Sequence, residues 1–146
     1  MKKMDNVVLG TDIIIEKGNK VVLITRGHEP FRGKLALPGG RVNDNENVEE
    51  AAVREAKEET SLKVKLKEIL GVYSGPNLDP RGYANTTVFV ADIVGGDLEA
   101  GDDAGAADFY DIKNLDFNKI GFPHHQKILK DFLKWKKSSG TFWMSK

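Results

Sequence analysis

Two β-branched runs open the chain, Asn6 to Glu16 (NVVLGTDIIIE) and Lys20 to Arg26 (KVVLITR). Val and Ile favour pleated backbone, so both predict strands, and Lys17-Gly18-Asn19 between them predicts a hairpin turn. Both runs are apolar enough to predict strands inside a sheet covered on both faces. Gly27 to Lys34 predicts a loop, and Leu35 to Gly40 a short strand ending in a tight Pro38-Gly39-Gly40 turn. The spacing then becomes helical over Asn47 to Thr60, with Asn43, Asp44 and Asn45 as loop and N-cap residues. Strands follow at Leu62 to Ser74, bent at Gly71, at Tyr83 to Val94 and at Asp108 to Ile112. Loops separate them at Gly75 to Gly82 and at Leu98 to Ala107, the latter acidic, Gly-rich and expected to be mobile. Lys113 to Phe117 predicts a helical turn. Pro123 to Lys137 predicts an amphipathic helix whose apolar side is Ile128, Leu129, Phe132, Leu133 and Trp135. With no repeat and no linker, the pattern predicts one α/β domain over residues 1–137, a mixed sheet between helices, and a tail over 138–146 whose Phe142 and Trp143 either fray or dock.

The first helix carries the chemistry. At about 100° per residue, Val48, Ala51, Ala52, Glu55 and Glu59 share an arc, with Glu58 at its edge. The small apolar residues turn this arc toward the protein body, yet Glu55 and Glu59 stand within it. An inward acid must be paired or must bind a cation. With only Arg54 beside them, these acids suit a divalent ion, and oxygen-only ligands point to Mg²⁺ or Mn²⁺. The competing reading is a solvated acidic face paired with Lys57 and Lys63.

Composition narrows the partners. Among 146 residues, Lys+Arg and Asp+Glu both number 22, so the chain has no general affinity for polyanions, and nucleic acid is not expected as a partner. With no Cys, neither a disulfide framework nor a thiolate metal site can form. No apolar run reaches the roughly 20 residues of a membrane span, and MKKMDN lacks the apolar core of a signal peptide, so a cytoplasmic protein without a membrane partner is expected.

Gly40, then Glu46, then Arg54-Glu55-Ala56-Lys57-Glu58-Glu59-Thr60-Ser61-Leu62 closely resembles the Nudix box, with Ser61 where that pattern has Gly. The resemblance implies a Nudix-type α/β/α sandwich and metal-dependent hydrolysis of a phosphoanhydride bond. It implies metal ligands at Glu59, Glu55, Glu58 and the Gly39 carbonyl, Arg54 orienting a glutamate, and Glu46 bracing the loop against the helix. Family members often draw a further acid from outside the box, as ligand or general base; here Asp103, Asp102 and then Glu99 are the candidates. His124, His125 and His28 are weaker candidates for phosphate contact or proton transfer, since histidines at a helix start are commonly surface residues. Gly71-Val72-Tyr73-Ser74, Pro76, Asp79-Pro80-Arg81-Gly82 and Gly101-Asp102-Asp103-Ala104 resemble small ADP-ribose pyrophosphatases. That implies a small nucleotide substrate, with Arg32 and Arg81 as phosphate or ribose contacts and Phe31 or Tyr83 stacking on adenine. The rival readings are a MutT-like nucleoside triphosphatase and a sensor that binds ADP-ribose without cutting it. A homodimer through a strand edge or the aromatic tail is a further expectation.

Overall fold

The computed structural model describes residues 6–101 and 104–146. In chain order its elements are β1 (Val7–Lys17), β2 (Lys20–Arg26), β3 (Leu35–Ala36), β4 (Gly39–Arg41), α1 (Val48–Thr60), β5 (Lys63–Asp79), β6 (Gly82–Gly95), β7 (Ala104–Asp111), α2 (Pro123–Ser138) and β8 (Phe142–Trp143). Short 3₁₀ turns lie at Ile112–Asn114 and Phe117–Lys119. The strands form one mixed sheet in the order β3-β2-β1-β6-β5-β8, with β4 paired to β1 and β7 to β2. β1 runs parallel to β6 over its length, and the β5–β6 hairpin is antiparallel.

Ile13, Ile14 and Ile15 are all fully buried, which only a sheet covered on both faces allows. Ile13 and Ile15 pack with Ala52 and Ala56 of α1, while Ile14 packs with Ile128, Leu129 and Phe132 of α2. This is the mixed sheet between helices that the pattern predicts, in the α/β/α sandwich that the resemblance implies.

One irregularity makes room for the site. β1 and β2 pair only beside their turn, at Glu16↔Val21 and Lys17↔Lys20. Beyond that, β4 takes up the freed edge of β1, at Gly10↔Arg41, Thr11↔Gly40 and Asp12↔Gly39. The Gly39–Gly40 backbone is thereby fixed to the centre of the sheet, next to α1.

Three expectations are corrected. The segment predicted as a loop at Gly75 to Gly82 is strand almost throughout: β5 continues to Asp79, and the hairpin closes at Asp79↔Gly82. Its prolines are tolerated because the ladder shifts register between Gly75 and Asp79, where Pro76 has no bond to donate. β7 begins at Ala104, earlier than Asp108, because the free edge of β2 pairs with it out to Arg26, past a register shift at Thr25. The N-cap of α1 is Asn47, later than Asn43 to Asn45, in a reciprocal capping box with Glu50 (2.8 and 3.0 Å).

The tail docks on its own chain. Phe142 enters the core beside Leu70 and Tyr73, and β8 pairs in parallel with Gly71 and Val72. Gly71 permits this approach, since a Cβ there would stand 2.0 Å from the Phe142 carbonyl oxygen. Gly71→Ala should therefore push the tail off β5 and cost about 1–3 kcal/mol, as overpacking does. Thermal melts and the emission of Trp143, half-exposed beside that edge, should both shift; unchanged melts would mean that the tail contributes nothing to the fold.

Candidate active site

α1 approaches the sheet through small side chains. Its buried stripe is Ala51, Ala52, Ala56 and Thr60, so the carboxylates stand on the flank of that stripe and not at its centre. From there Glu55 and Glu59 meet the Gly39–Gly40 backbone. The Gly39 N–H donates to Glu59 Oε2 (3.2 Å). A Cβ on Gly40 would lie 2.6 Å from Glu55 Oε1, so only glycine lets this backbone settle onto the carboxylate. Asp12, buried on β1, underlies the same turn: a Cβ on Gly39 would fall 2.4 Å from its Oδ1.

Arg54 organises the rim. It donates to both oxygens of Glu46 (Nε to Oε2, 2.9 Å), to Glu55 Oε1 (2.6 Å), to Glu58 Oε2 (3.1 Å) and to the Arg41 carbonyl (2.9 Å). One guanidinium thus ties the loop before α1 to the helix and fixes the orientation of Glu55. Its bond, joined by one from the Asn43 N–H, holds the Glu46 carboxyl below its usual range. Glu58 is exposed and stands at the rim, outside the lining of the cleft.

Electrostatics single out Glu59. Burial pushes its carboxyl up to about 8, the Gly39 N–H opposes this, and Glu55 and Asp12 add to it. Glu55 is also raised, first by burial, with Arg54 opposing. Among the described residues Glu59 has no ion pair. Two half-buried carboxylates beside a backbone turn, only Glu55 of them bonded to a guanidinium, form an oxygen-only donor set deficient in positive charge, which fits a hard divalent cation.

The carboxylates border an open cleft of about 220 Å³. Opposite them stand Arg26, Arg81, His124 and His125. Arg81 is paired bidentately with Asp79 (3.0 and 2.8 Å). His124 and His125 are buried, contrary to the common surface position of such histidines, because Phe122 packs against both rings (5.6 and 4.9 Å between centroids). Asp12, His124 and His125 offer ligand atoms within 4.8 Å of one another. The His125 ring, however, is already engaged at both nitrogens. Its Nδ1 accepts the Leu37 N–H (3.1 Å), which leaves the proton on Nε2, 3.5 Å from Asp12 Oδ1. Burial pushes the Asp12 carboxyl up, but His125 and the Thr86 hydroxyl (2.7 Å) bring it below its usual value. We therefore read Asp12 and His125 as a hydrogen-bonded brace that links α2 to β1 and to the segment before Gly39, with His124 packed beside them.

The remaining sequence candidates are placed elsewhere. Phe31 lines a second recess with Pro76, Leu78, Pro80 and Pro123, next to the cleft through shared Asp79. Its φ of 61° is a left-handed conformation that costs a bulky residue about 1–2 kcal/mol. Gly121 gives it room, and it packs edge-on against Phe122 (4.9 Å). Arg32 is exposed in the same loop, outside both recesses, and Tyr83 points away from the cleft that its neighbour Ala84 lines. His28 borders the cleft. Arg26 was missed because it closes a β-branched run and reads as an ordinary strand end; Asp12, beside isoleucines, was the polar residue in that run that called for an explanation.

Ser61 ends α1 in the left-handed conformation (φ 64°), and its Oγ donates to the Glu99 carbonyl (3.1 Å). Glu99 N–H and Gly101 N–H donate back to Thr60 and Glu59 carbonyls (2.9 and 3.0 Å), which satisfies helix-end acceptors and straps this loop to α1. Asp102 and Asp103 lie outside the described residues.

A mixed-sheet sandwich with glutamates of one helix turned under a Gly-Gly backbone defines a metal-assisted phosphohydrolase type of site. The NUDIX domain model matches residues 8–134. Over 128 residues the chain is 54% identical to an ADP-ribose pyrophosphatase of Methanocaldococcus jannaschii, covering 88% of this chain and 74% of that one. The chain belongs to the Nudix family. Among solved structures, a Nudix hydrolase from Nitrosomonas europaea superposes with a TM-score of 0.82 at 25% identity, over 99% of this chain and 78% of that one. The Nudix domain of Shewanella oneidensis NrtR, solved with ADP ribose, shares the fold (TM-score 0.73, 20% identity, 92% and 89% covered).

Two outcomes follow from this geometry. Unfolded, Glu59 ionises near 4.5; folded, near 8. Between these values the folded state holds a proton that the unfolded chain has released, so stability falls as pH rises through this window. In chelator, Glu59→Gln should raise the melting temperature little at pH 5 and most above pH 8, and Mg²⁺ should narrow the difference. A gain that does not vary with pH would contradict this. Ser61→Gly relieves left-handed strain of about 1 kcal/mol but loses the Glu99 bond, worth about as much, so its stability should scarcely change. Ser61→Ala keeps the strain and should lose about 1 kcal/mol in denaturant titrations.

Proposed function

We propose that this chain hydrolyses the diphosphate of ADP-ribose, giving AMP and ribose 5-phosphate, with Mg²⁺ or Mn²⁺ held by Glu55, Glu59 and the Gly39 carbonyl and with Glu58 reaching in from the rim. The observation that carries the reading is the Glu55–Glu59 pair, buried against Gly39–Gly40 without enough positive charge beside it. The substrate is inferred from the 54% identity to an ADP-ribose pyrophosphatase.

When bound, the cation supplies charge to the diphosphate and acidifies a water. The chain's own residues do the rest. Arg54 keeps Glu55 aimed at the Gly40 backbone. Arg81, steadied by Asp79, offers positive charge to phosphate across the cleft. Phe31 presents an aromatic wall on which adenine stacks. We assign the proton of the attacking water to a carboxylate that follows Gly101 in sequence, Asp103, with Asp102 as its neighbour.

A panel of nucleoside diphosphate-sugars and nucleoside triphosphates, assayed with Mg²⁺ for released products, tests the substrate: ADP-ribose should have the highest kcat/KM, and preference for a triphosphate would replace this reading with a MutT-like one. Glu59→Gln should remove turnover by orders of magnitude. Asp103→Asn should lower kcat more than it changes KM, and the loss should lessen at high pH, where hydroxide substitutes for the base. An effect confined to KM would move the base elsewhere.

A further inference from the structure

The face of the sheet that carries α1 is only half covered. Ile13, Ile15 and Phe89 lie beneath Ala52 and Ala56 of that helix, and α2 packs on the opposite face. Strand register identifies what the uncovered half presents. β1 pairs with β6 at Val7↔Tyr83 and Leu9↔Asn85, and β5 pairs with β6 at Ser74↔Asn85 and Val72↔Thr87. Steps of two back from Ile13 and Phe89 put these side chains on the α1 side. Ile69, opposite Phe89, joins them. Phe142 enters the core on the α2 side, so Trp143 points the other way, beside its pairing partner Val72. Val7, Leu9, Ile69, Val72 and Trp143 are between 44% and 50% exposed. Five of the seven large hydrophobic side chains exposed among the described residues thus share one face. Ser74, Asn85 and Thr87 lie between them, and no position of this grid is charged, although 30% of the chain is. A cation stands at its margin, where the Lys146 ammonium lies over the Trp143 ring (4.7 Å).

Single exposed apolar residues are ordinary, but an uncharged group of them with an aromatic and a cation at its margin has the composition of an interface centre. A sheet face is matched by another sheet face about 10 Å away, the thickness that α1 fills on the covered half. A second copy supplies such a face with the same absence of charge, and with 22 basic and 22 acidic residues two copies do not repel each other. Asn85 stands at the centre of the grid, with Ser74 and Leu9 beside it and Thr87 and Tyr83 two residues away along β6. An amide both donates and accepts, so it is its own complement across a twofold axis, which a carboxylate or an ammonium is not. We propose that two copies of this chain pair face to face through this half of the sheet, about a twofold axis that crosses the strands at the Leu9–Asn85–Ser74 row. An axis along the strands would drive each α1 against the α1 of the partner. An axis across them carries each helix past the open end of the partner's sheet. By ordinary strand spacing and rise the face measures roughly 19 Å by 17 Å. That is the low end of what specific pairs bury, so dissociation in the micromolar range is expected. The cleft, lined by Val8, Asp12, Ala84 and Thr86 from the other face, stays open.

Sedimentation equilibrium of the full chain, loaded from about 1 to about 500 μM, should show monomer and dimer in exchange. Leu9→Lys puts a charge into the face and should weaken pairing at least about 10-fold. Its melting in dilute solution should match that of wild type, because Leu9 is exposed in the single chain. Asn85→Asp and Asn85→Lys each set like charges against one another at the axis, and each alone should weaken pairing by a similar factor. Mixed in equal amounts, these two variants should pair again, because opposite charges then meet. Such recovery requires that position 85 face itself, and neither misfolding nor a general loss of apolar area produces it. A monomer at every concentration overturns the proposal and leaves the face to an unlike partner. A dimer that Leu9→Lys leaves intact overturns it too, as does a mixture that pairs no more tightly than the separate variants. No outcome depends on hydrolysis, so the pairing and the reading of the cleft stand or fall separately.

Discussion

The structure depends on an electrostatic debt: Glu55 and Glu59 are held against a glycine backbone in surroundings too dry to solvate them and too poor in cations to neutralise them. Pairing β4 with β1 places Gly39 and Gly40 there, and only because β1 separates from β2 after their turn is that edge available. The small residues of α1 let the helix come close enough for the two carboxylates to reach. Moving any of these parts would return the glutamates to water, where they would be ordinary and inert.

The surroundings limit what this arrangement costs. Arg54 is shared among three carboxylates and a carbonyl, so it constrains direction more than it cancels charge. The loop over Glu99 and Gly101 satisfies the carbonyls at the C-terminal end of α1, including that of Glu59 itself, and so fixes the turn of helix from which the most perturbed acid projects. From the other side, the Asp12–His125 contact and the Leu37 N–H to His125 bond join α2 to the same backbone segment. The glycine turn is therefore held by three separate elements, and the carboxylates do not have to provide the order themselves.

Much of this was legible. Helical periodicity placed Glu55 and Glu59 on one inward arc, because a helix repeats every 3.6 residues in any context, while the orienting role of Arg54 and the part of the glycine turn came from the resemblance to the Nudix box. The left-handed end of α1 was legible too, although at Ser61 and not at a glycine. What was not legible depended on long-range pairing. The stretch from Gly75 to Asp79 has loop composition, yet β6 holds it as a strand. The capping residue moved to Asn47 because Asn43, Asp44 and Asn45 are equally able to cap and local sequence alone does not choose among them. The burial of His124 and His125 comes from Phe122 and from strands more than 80 residues earlier, and no local pattern encodes that.

The same non-local packing gives the cleft two unlike walls. The acidic wall comes from one helix and was readable as a motif; the opposite wall is assembled from the end of β2 (Arg26), the β5–β6 turn (Arg81) and the start of α2 (His124 and His125). A wall built from three distant segments leaves no signature at fixed spacing. It is also the wall on which relatives with the same box can differ, since a strand end, a hairpin turn and a helix start can each be altered without disturbing the pairing of β4 with β1. On the proposed reading the chemistry resides in a fixed spacing along one helix, while the choice of what is brought to it resides in the geometry of the opposite wall.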